Sequence, residues 1–255
     1  MKPEVAVVID TETGSTDIHK AGICQVAGVV VSAKSQRITT LMSTYCKPSI
    51  QMEEGAVAVH GITEDMYRYS PPESWALAAL DLYLEKLAKS YTVYLAGHNI
   101  DRYDLPLIKL RYPQGSWDSY KTIDTLRWAR RRYHDVDHKL EPLYVELIKK
   151  PALEAHDAAA DCHMGAEVLS YMLNSEGITM EVIANSLAKP RFYEFMPFGK
   201  YKGAALGTDV PESYLLWMQK NFHDPDPDLK ETLRYYLNDF AKEKAETTYH
   251  SPELI

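Results

Sequence analysis

Five side chains in three separated stretches could do chemistry together. Near the N-terminus an apolar run, Val5-Ala-Val-Val-Ile9, leads into Asp10-Thr11-Glu12-Thr13-Gly14. A run rich in Val and Ile reads as a buried strand. Alternate strand residues point the same way, so Asp10 and Glu12 share one side. Two like charges at the end of a buried strand repel each other and resist desolvation, and a divalent cation between them would relieve both costs. The second stretch, His98-Asn99-Ile100-Asp101-Arg102-Tyr103-Asp104, follows another apolar run, and the third is His156-Asp157-Ala-Ala-Ala-Asp161. Asp10, Glu12, Asp104 and Asp161 would supply hard oxygen ligands and no thiolate, a set that suits Mg²⁺ or Mn²⁺. Two such ions about 3.5–4 Å apart clamp the attacking and leaving oxygens of a phosphodiester displacement. Histidine titrates near neutrality, so His156 is the candidate to take a proton from the attacking water. Its five-residue separation from Asp161 is a poor match to one helix face and puts it on a loop just ahead of the helix.

The elements that must position these groups are legible in outline. Gly22 to Ala33 reads as a second strand and Arg37 to Tyr45 as a third, with Ser35-Gln36 as a short turn. Three neighbouring strands with tight connections predict an antiparallel meander. Ser74 to Lys89 reads as a helix with Leu77, Leu80, Leu84 and Leu87 on one face, and Tyr91 to Ala96 as another strand. Further helices are expected at Leu105 to Arg111, Asp124 to Arg132, Leu140 to Lys149, His156 to Leu173 and Met180 to Leu187. Ala158-Ala159-Ala160 would let another element approach closely. Strands first, then strands alternating with helices, imply an α/β architecture with a mixed sheet flanked by helices. Sites in open α/β sheets form where strands end, so the three acidic stretches can meet.

The chain changes character past residue 175. The expected organisation is a catalytic domain over 1–175, a linker over 176–195, a small hairpin-helix module over 196–240 and a frayed tail over 241–255. Met196-Pro-Phe-Gly-Lys-Tyr-Lys-Gly203 has the glycine spacing of a hairpin. Asp209-Val-Pro-Glu212 and Asp228-Leu-Lys-Glu231 resemble helix starts with an N-cap and a Glu at N3. Leu229, Leu233, Leu237 and Phe240 recur at helical spacing. Lys200 and Lys202 beside Phe198 could hold a phosphate backbone and stack a base, or the aromatics could pack on the following helix. Trp217 and Trp128 read most simply as core. Arg127-Trp-Ala-Arg130-Arg131-Arg132 is either a solvated helix face or a phosphate track.

Composition sets bounds. The 255 residues are 45% hydrophobic and 25% charged, ordinary for a soluble globular protein, and no apolar run approaches a membrane span. The first residues show no signal-peptide pattern, and three cysteines at scattered positions, Cys24, Cys46 and Cys162, suggest reduced thiols. Both point to a cytoplasmic, intracellular setting. A net charge of -8 argues against tight non-specific coating of DNA. It does not exclude a nucleic-acid substrate, because bound metal ions reverse the local sign.

The order Asp10-x-Glu12, Asp104, His156-x4-Asp161 resembles the DEDDh group of 3′–5′ exonucleases, and His98 to Leu107 is especially similar to the three-prime repair exonucleases. The resemblance implies an RNase H-like fold, two Mg²⁺ or Mn²⁺ ions and release of nucleoside 5′-monophosphates from a 3′ end. His60-Gly61-Ile62-Thr63 also recurs in this group, where it lines the terminal-nucleotide pocket. His60, Asn99, Thr11, Thr13 and Tyr103 are thereby substrate-binding candidates, although His60 and Asn99 could equally satisfy backbone groups near the sheet. Relatives commonly place the second-motif acid four residues after the Asn, whereas Asp104 is five after Asn99. Asp101 is therefore a rival, and the match of Tyr103-Asp104 to the aromatic-Asp pattern favours Asp104. Phe198 to Gly203 with Tyr214-Leu215-x-Trp217 is similar to the C-terminal segment of bacterial exodeoxyribonucleases of the X type. That match and the second motif favour DNA as substrate, with Lys200 and Lys202 as contacts. The alternatives are an exoribonuclease of the same fold and a catalytically silent nucleic-acid-binding subunit.

Overall fold

The first strand, β1 (Glu4–Thr13), shows the alternation that the site depends on. In the computed structural model, residues 2–35, 37–153, 156–222 and 226–249 are described, with backbone alone for 239 and 241–249. Val5, Val7 and Ile9 point into an apolar core with Leu77, Leu80 and Leu84. The even-numbered residues face the other way, which carries Asp10 and Glu12 to the opposite side of the sheet from that core. The strand does not stop before the acids. It runs through Thr13, with Asp10 opposite Ala27 and Glu12 opposite Gln25.

β1 pairs antiparallel with β2 (Ile23–Ser32), and β2 antiparallel with β3 (Ile38–Tyr45), which is the expected meander. On its other edge β1 pairs parallel with β4 (Thr92–Gly97). Two short helices, α1 (Glu54–His60) and α2 (Glu64–Tyr67), and the longer α3 (Glu73–Ala88) lie between β3 and β4 in the chain. α1 and α2 have no buried residue, so no apolar period marks them in the sequence. α4 (Asp104–Arg111) follows β4, with Pro106 in its first turn. A fifth strand, β5 (Lys121–Asp124), pairs parallel with β4 and completes the order β3-β2-β1-β4-β5. The expectation of a helix from Asp124 is corrected here: Asp124 ends the strand, and α5 (Thr125–Arg132) begins after it. α6 (Leu140–Ile148) precedes α7 (Ala158–Glu176), which crosses the sheet so closely that a Cβ at Gly165 would come within 3.2 Å of Val8 Cγ1. α8 (Met180–Leu187), inside the segment expected as a linker, buries Met180, Ile183, Ala184 and Leu187.

The chain divides into two compact units, residues 1–129 with 136–187, and residues 130–135 with 188–255. In the smaller unit, α9 (Glu212–Asn221) and α10 (Pro227–Tyr249) enclose a core of Tyr193, Met196, Leu206, Leu215, Met218 and Leu233 with their neighbours. Several expectations for this region are corrected. Met196 to Gly203 is not a paired-strand hairpin. It is a tight loop closed by Met196 N to Ala204 O and Gly203 N to Met196 O, beside a single bridge between Phe195 and Ala205. Asp209 is not the cap of α9, which starts from Pro211 without a side-chain cap. Asp226, not Asp228, caps α10, accepting from the backbone N–H of Asp228 and Leu229 at 3.0 and 2.9 Å. The backbone of α10 continues as helix to Tyr249, and the rest of the expected frayed tail lies outside the described residues. Three arginines of the basic run are held by acids rather than lying on a solvated face, while Arg132 is exposed. Arg127 pairs with Asp101 at 3.1 Å, Arg130 with Asp226 at 3.1 Å and Arg131 with Asp228 at 2.6 Å. Trp128 is core, but Trp217 is 50% exposed. Among the described residues no helix is long and apolar enough to cross a membrane, and the three cysteines are free and buried.

Candidate active site

The larger unit brings the acidic stretches together. One carboxylate oxygen from each of Asp10, Glu12 and Asp161 lies within 4.8 Å of the others. Ligands on one cation at about 2.0–2.6 Å can be no more than about 4–5 Å apart, so these three acids can share one. Asp104 stands outside that group. It is buried, and its Oδ1 accepts a 2.6 Å hydrogen bond from Thr11 Oγ1. Asp101, its rival, is turned to Arg127. A cavity of about 710 Å³ opens over the cluster, lined by Asp10, Glu12, Asp161 and His156 together with Thr11, Thr13, His60, Asn99 and Tyr103. Lys200 and Lys202 belong to the smaller unit.

Each group is held by identifiable local chemistry. Gly97 ends β4 where a Cβ would come within 2.8 Å of Ile9 O, so only glycine lets the next loop leave so close to β1. Asn99 follows at φ 77°, and Asn tolerates that left-handed conformation better than most residues. The buried carboxylate of Asp124 then fastens this loop, accepting from the backbone N–H of Asn99 and Asp101 and from those of Leu126 and Arg127 at the start of α5. Asp104 opens α4, and the Tyr103 hydroxyl hydrogen-bonds both Thr13 Oγ1 and the Ser15 carbonyl. Tyr103 thus braces β1 as well as lining the cavity. His156 is exposed ahead of α7 at φ 61°, outside the helix as its spacing from Asp161 requires. His60 closes α1. Its Nδ1 accepts from Ile62 N at 3.0 Å, while Nε2 is buried without a hydrogen-bond partner among the described residues.

The electrostatics show how crowded the acids are. Burial, followed by the charges of Asp104, Asp161 and Glu12, holds the Asp10 carboxyl well above the usual carboxylate range. Burial, then Asp161 and Asp104, pushes Glu12 up to about 8. Burial raises Asp104 to about 7 against the Thr11 hydrogen bond, and raises Asp161 to about 6 against the charge of His156. Crowded acids of this kind fit divalent cations, which would let all four ionise. The donor set is oxygen throughout, as Mg²⁺ and Mn²⁺ prefer.

These shifts set a pH dependence. Acids with raised pKa bind protons more tightly in the folded state, so without a cation the protein loses stability as pH rises through their folded values, from about 6 for Asp161 to about 8 for Glu12. A cation bound by the ionised acids reverses that loss. The rise in Tm on adding MgCl₂ to EDTA-treated protein is therefore expected to be larger at pH 8 than at pH 6. Equal rises at both values would detach cation binding from these carboxyls.

One residue at the site gave no signal in the sequence. Gln25, opposite Glu12 on β2, is 3% exposed. Its Nε2 donates to Asp157 Oδ2 at 2.9 Å, and its Oε1 accepts from Ala158 N at 3.2 Å. Asp157 in turn N-caps α7, accepting from Ala159 N and Ala160 N at 3.0 Å. One amide thus sets where α7 begins against the strand that neighbours Glu12, and α7 carries Asp161. Gln25→Ala is expected to cost about 1–3 kcal/mol of stability by stranding buried polar groups. It should also lower kcat about 10-fold or more with a smaller change in KM, because the acids move out of register. Steady-state kinetics at a temperature where both proteins remain folded checks this.

Chains of known structure share this architecture. Exonuclease X in complex with 5′ overhanging duplex DNA is 25% identical, with a TM-score of 0.52 over 71% of this chain and 98% of that one. The nuclease domain of 3′hExo, a DEDDh family member bound to rAMP, shares the fold at 16% identity and a TM-score of 0.56, covering 68% of this chain and 93% of that one. The mixed five-stranded sheet flanked by helices is therefore that of the RNase H-like, DnaQ-like exonucleases. The chain belongs to the exonuclease family: the RNase_T exonuclease model matches residues 7–169, and Exodeoxyribonuclease 10 of Escherichia coli (strain K12) is 30% identical over 242 residues, 90% of this chain and 97% of that protein. A second model, named for a quorum-sensing-regulated virulence factor, matches residues 189–238. The protein is thus an exonuclease, a phosphodiester hydrolase.

Proposed function

We propose that this exonuclease degrades DNA from the 3′ end, releasing nucleoside 5′-monophosphates, with Asp10, Glu12, Asp104 and Asp161 holding two Mg²⁺ or Mn²⁺ ions. The observation that carries the reading is the convergence of Asp10, Glu12, Asp161 and His156 on one cavity, with Asp104 adding its charge at Asp10. DNA as substrate is supported by similarity along 90% of the chain to a protein named as an exodeoxyribonuclease. Bound ions would supply a lowered water pKa and counter-charge for the phosphate. The chain's own residues do the rest. Exposed His156 at the cavity wall accepts the proton of the attacking water on its imidazole. Thr11 and Tyr103 fix Asp104 and the end of β1, so the acids need not reorganise during the reaction. His60, Asn99, Thr13 and Tyr103 line the space that the terminal nucleotide would fill, and Lys200 and Lys202 are the smaller unit's candidate contacts to a substrate backbone.

The test is the product profile on 5′-labelled DNA and RNA oligomers of one sequence, with MgCl₂ or with EDTA. The expected result is a ladder shortening from the 3′ end of DNA, free 5′-mononucleotides, and no reaction in EDTA. Preferential shortening of RNA would replace the substrate assignment with an exoribonuclease. Binding without release would leave a silent nucleic-acid-binding subunit.

A further inference from the structure

The smaller unit carries a run of aromatic rings, and the most exposed of them lies outside its core. Trp217 on α9 is 50% exposed and Phe222 is 37% exposed. The rings follow one another at contact distance. Phe198 and Phe222 have centroids 6.1 Å apart, and Phe222 and Trp217 6.0 Å. Trp217 stacks on Tyr214 at 5.6 Å with planes 19° apart, and Tyr214 meets Tyr201 at 4.7 Å. Phe198, Tyr201 and Tyr214 are half-buried against the core and so form a fixed footing, on which Trp217 presents its ring to solvent. Cations close both ends: the Arg130 guanidinium lies 5.0 Å over Phe198 and the Lys200 ammonium 5.2 Å over Tyr201. Lys202 is exposed on the Lys200 loop and Lys220 on α9, three residues from Trp217. The buried acids Asp226 and Asp228 are taken up by Arg130 and Arg131.

The chemistry of the surface selects its occupant. An aliphatic protein partner would meet a surface of flat rings with a lysine ammonium at one end. Unpaired nucleotides match both features, since each base has a π-face and each linkage a negative charge. Paired bases keep their faces inside the duplex and cannot use the rings. We propose that the smaller unit binds unpaired nucleotides, with Trp217 stacking on a base and the Lys200 ammonium, beyond Tyr214 and Tyr201 along the run of rings, meeting a backbone phosphate. This rests on the reading of the chain as acting on nucleic acid, but it requires neither cation nor catalysis.

The experiment measures binding of the full chain in EDTA to a fluorescein-labelled oligothymidylate and to a blunt duplex of the same length, by anisotropy. Trp217→Ala is expected to weaken binding of the single strand about 5- to 150-fold, the range for one base on one ring. Trp217→Phe should retain most of the affinity. Trp75→Ala, which removes a tryptophan 71% exposed on α3 of the larger unit, should change nothing. Lys200→Ala should lessen the salt dependence, and this variant keeps the proposal testable if Trp217→Ala fails to fold. Unchanged single-strand affinity in folded Trp217→Ala, or equal binding of the blunt duplex, would overturn it. So would a change in sedimenting mass on Trp217→Ala, which would assign the rings to a second copy of the chain. If no oligomer is ever shortened yet Trp217→Ala still loses affinity, the nuclease reading fails and this one stands.

Discussion

Replacing Asp10 with Asn is expected to lower the single-turnover rate at least about 10²-fold, a loss of roughly 3 kcal/mol or more of transition-state stabilisation. Asp10 carries the most crowded charge of the site, facing Asp104, Asp161 and Glu12. The amide keeps the size and shape of the side chain but offers a cation no charge, so the metal concentration for half-maximal rate should also rise. The same substitution has an opposite effect on the fold. Removing a repelled buried charge should make the EDTA-treated protein more stable at pH 8 than the parent, while MgCl₂ raises Tm less. A rate near the parent's with an unchanged metal requirement would remove Asp10 from the site.

His156→Ala is expected to lower the rate about 10²- to 10⁴-fold, the usual range for loss of a positioned general base. Unlike Asp10→Asn, it should leave the metal concentration for half-maximal rate almost where it was, because no acid of the cluster has changed. Comparing the two variants over a magnesium titration separates a group that holds a cation from one that moves a proton. A parallel loss of metal affinity in His156→Ala would mean that the imidazole chiefly shapes the acid cluster, through its charge beside Asp161.

Where the sequence carried the answer, the signal was local and repeated. The unbroken Val- and Ile-rich run marks β1 as a buried strand, the leucines of α3 mark one helix, and Met180 to Leu187 matches α8 at both ends. What escaped lacked such repetition. β5 is only four residues long and ends in Asp124, an acid that also caps the start of α5, so strand end and helix start share one residue. α1, which walls the cavity with Gly55, Ala56 and Val59, buries nothing and so has no apolar stripe. Gly199 and Gly203 have the positive φ that a turn needs, yet positive φ alone does not make a ladder. The start of α10 lies at Asp226-Pro227, a cap followed by proline at the first helical position, two residues ahead of the Asp228 that the cap-and-Glu pattern points to. Gln25 could not be found this way, because its partner Asp157 is 132 residues distant. Trp217 reads as core from its type alone, and only the fold shows that its ring faces water.

The smaller unit is assembled from two stretches of chain, six residues at 130–135 and everything from 188 onward. Its two buried acids are neutralised from the first stretch, Asp226 by Arg130 and Asp228 by Arg131. Expressed alone from residue 188, it would keep both carboxylates and lose both guanidinium partners, leaving uncompensated charge in its interior. A fragment cut at 187 would carry the orphaned arginines instead. Severing the chain between the two stretches therefore costs both pieces, and the break is felt in the interior of the smaller unit rather than at its edge.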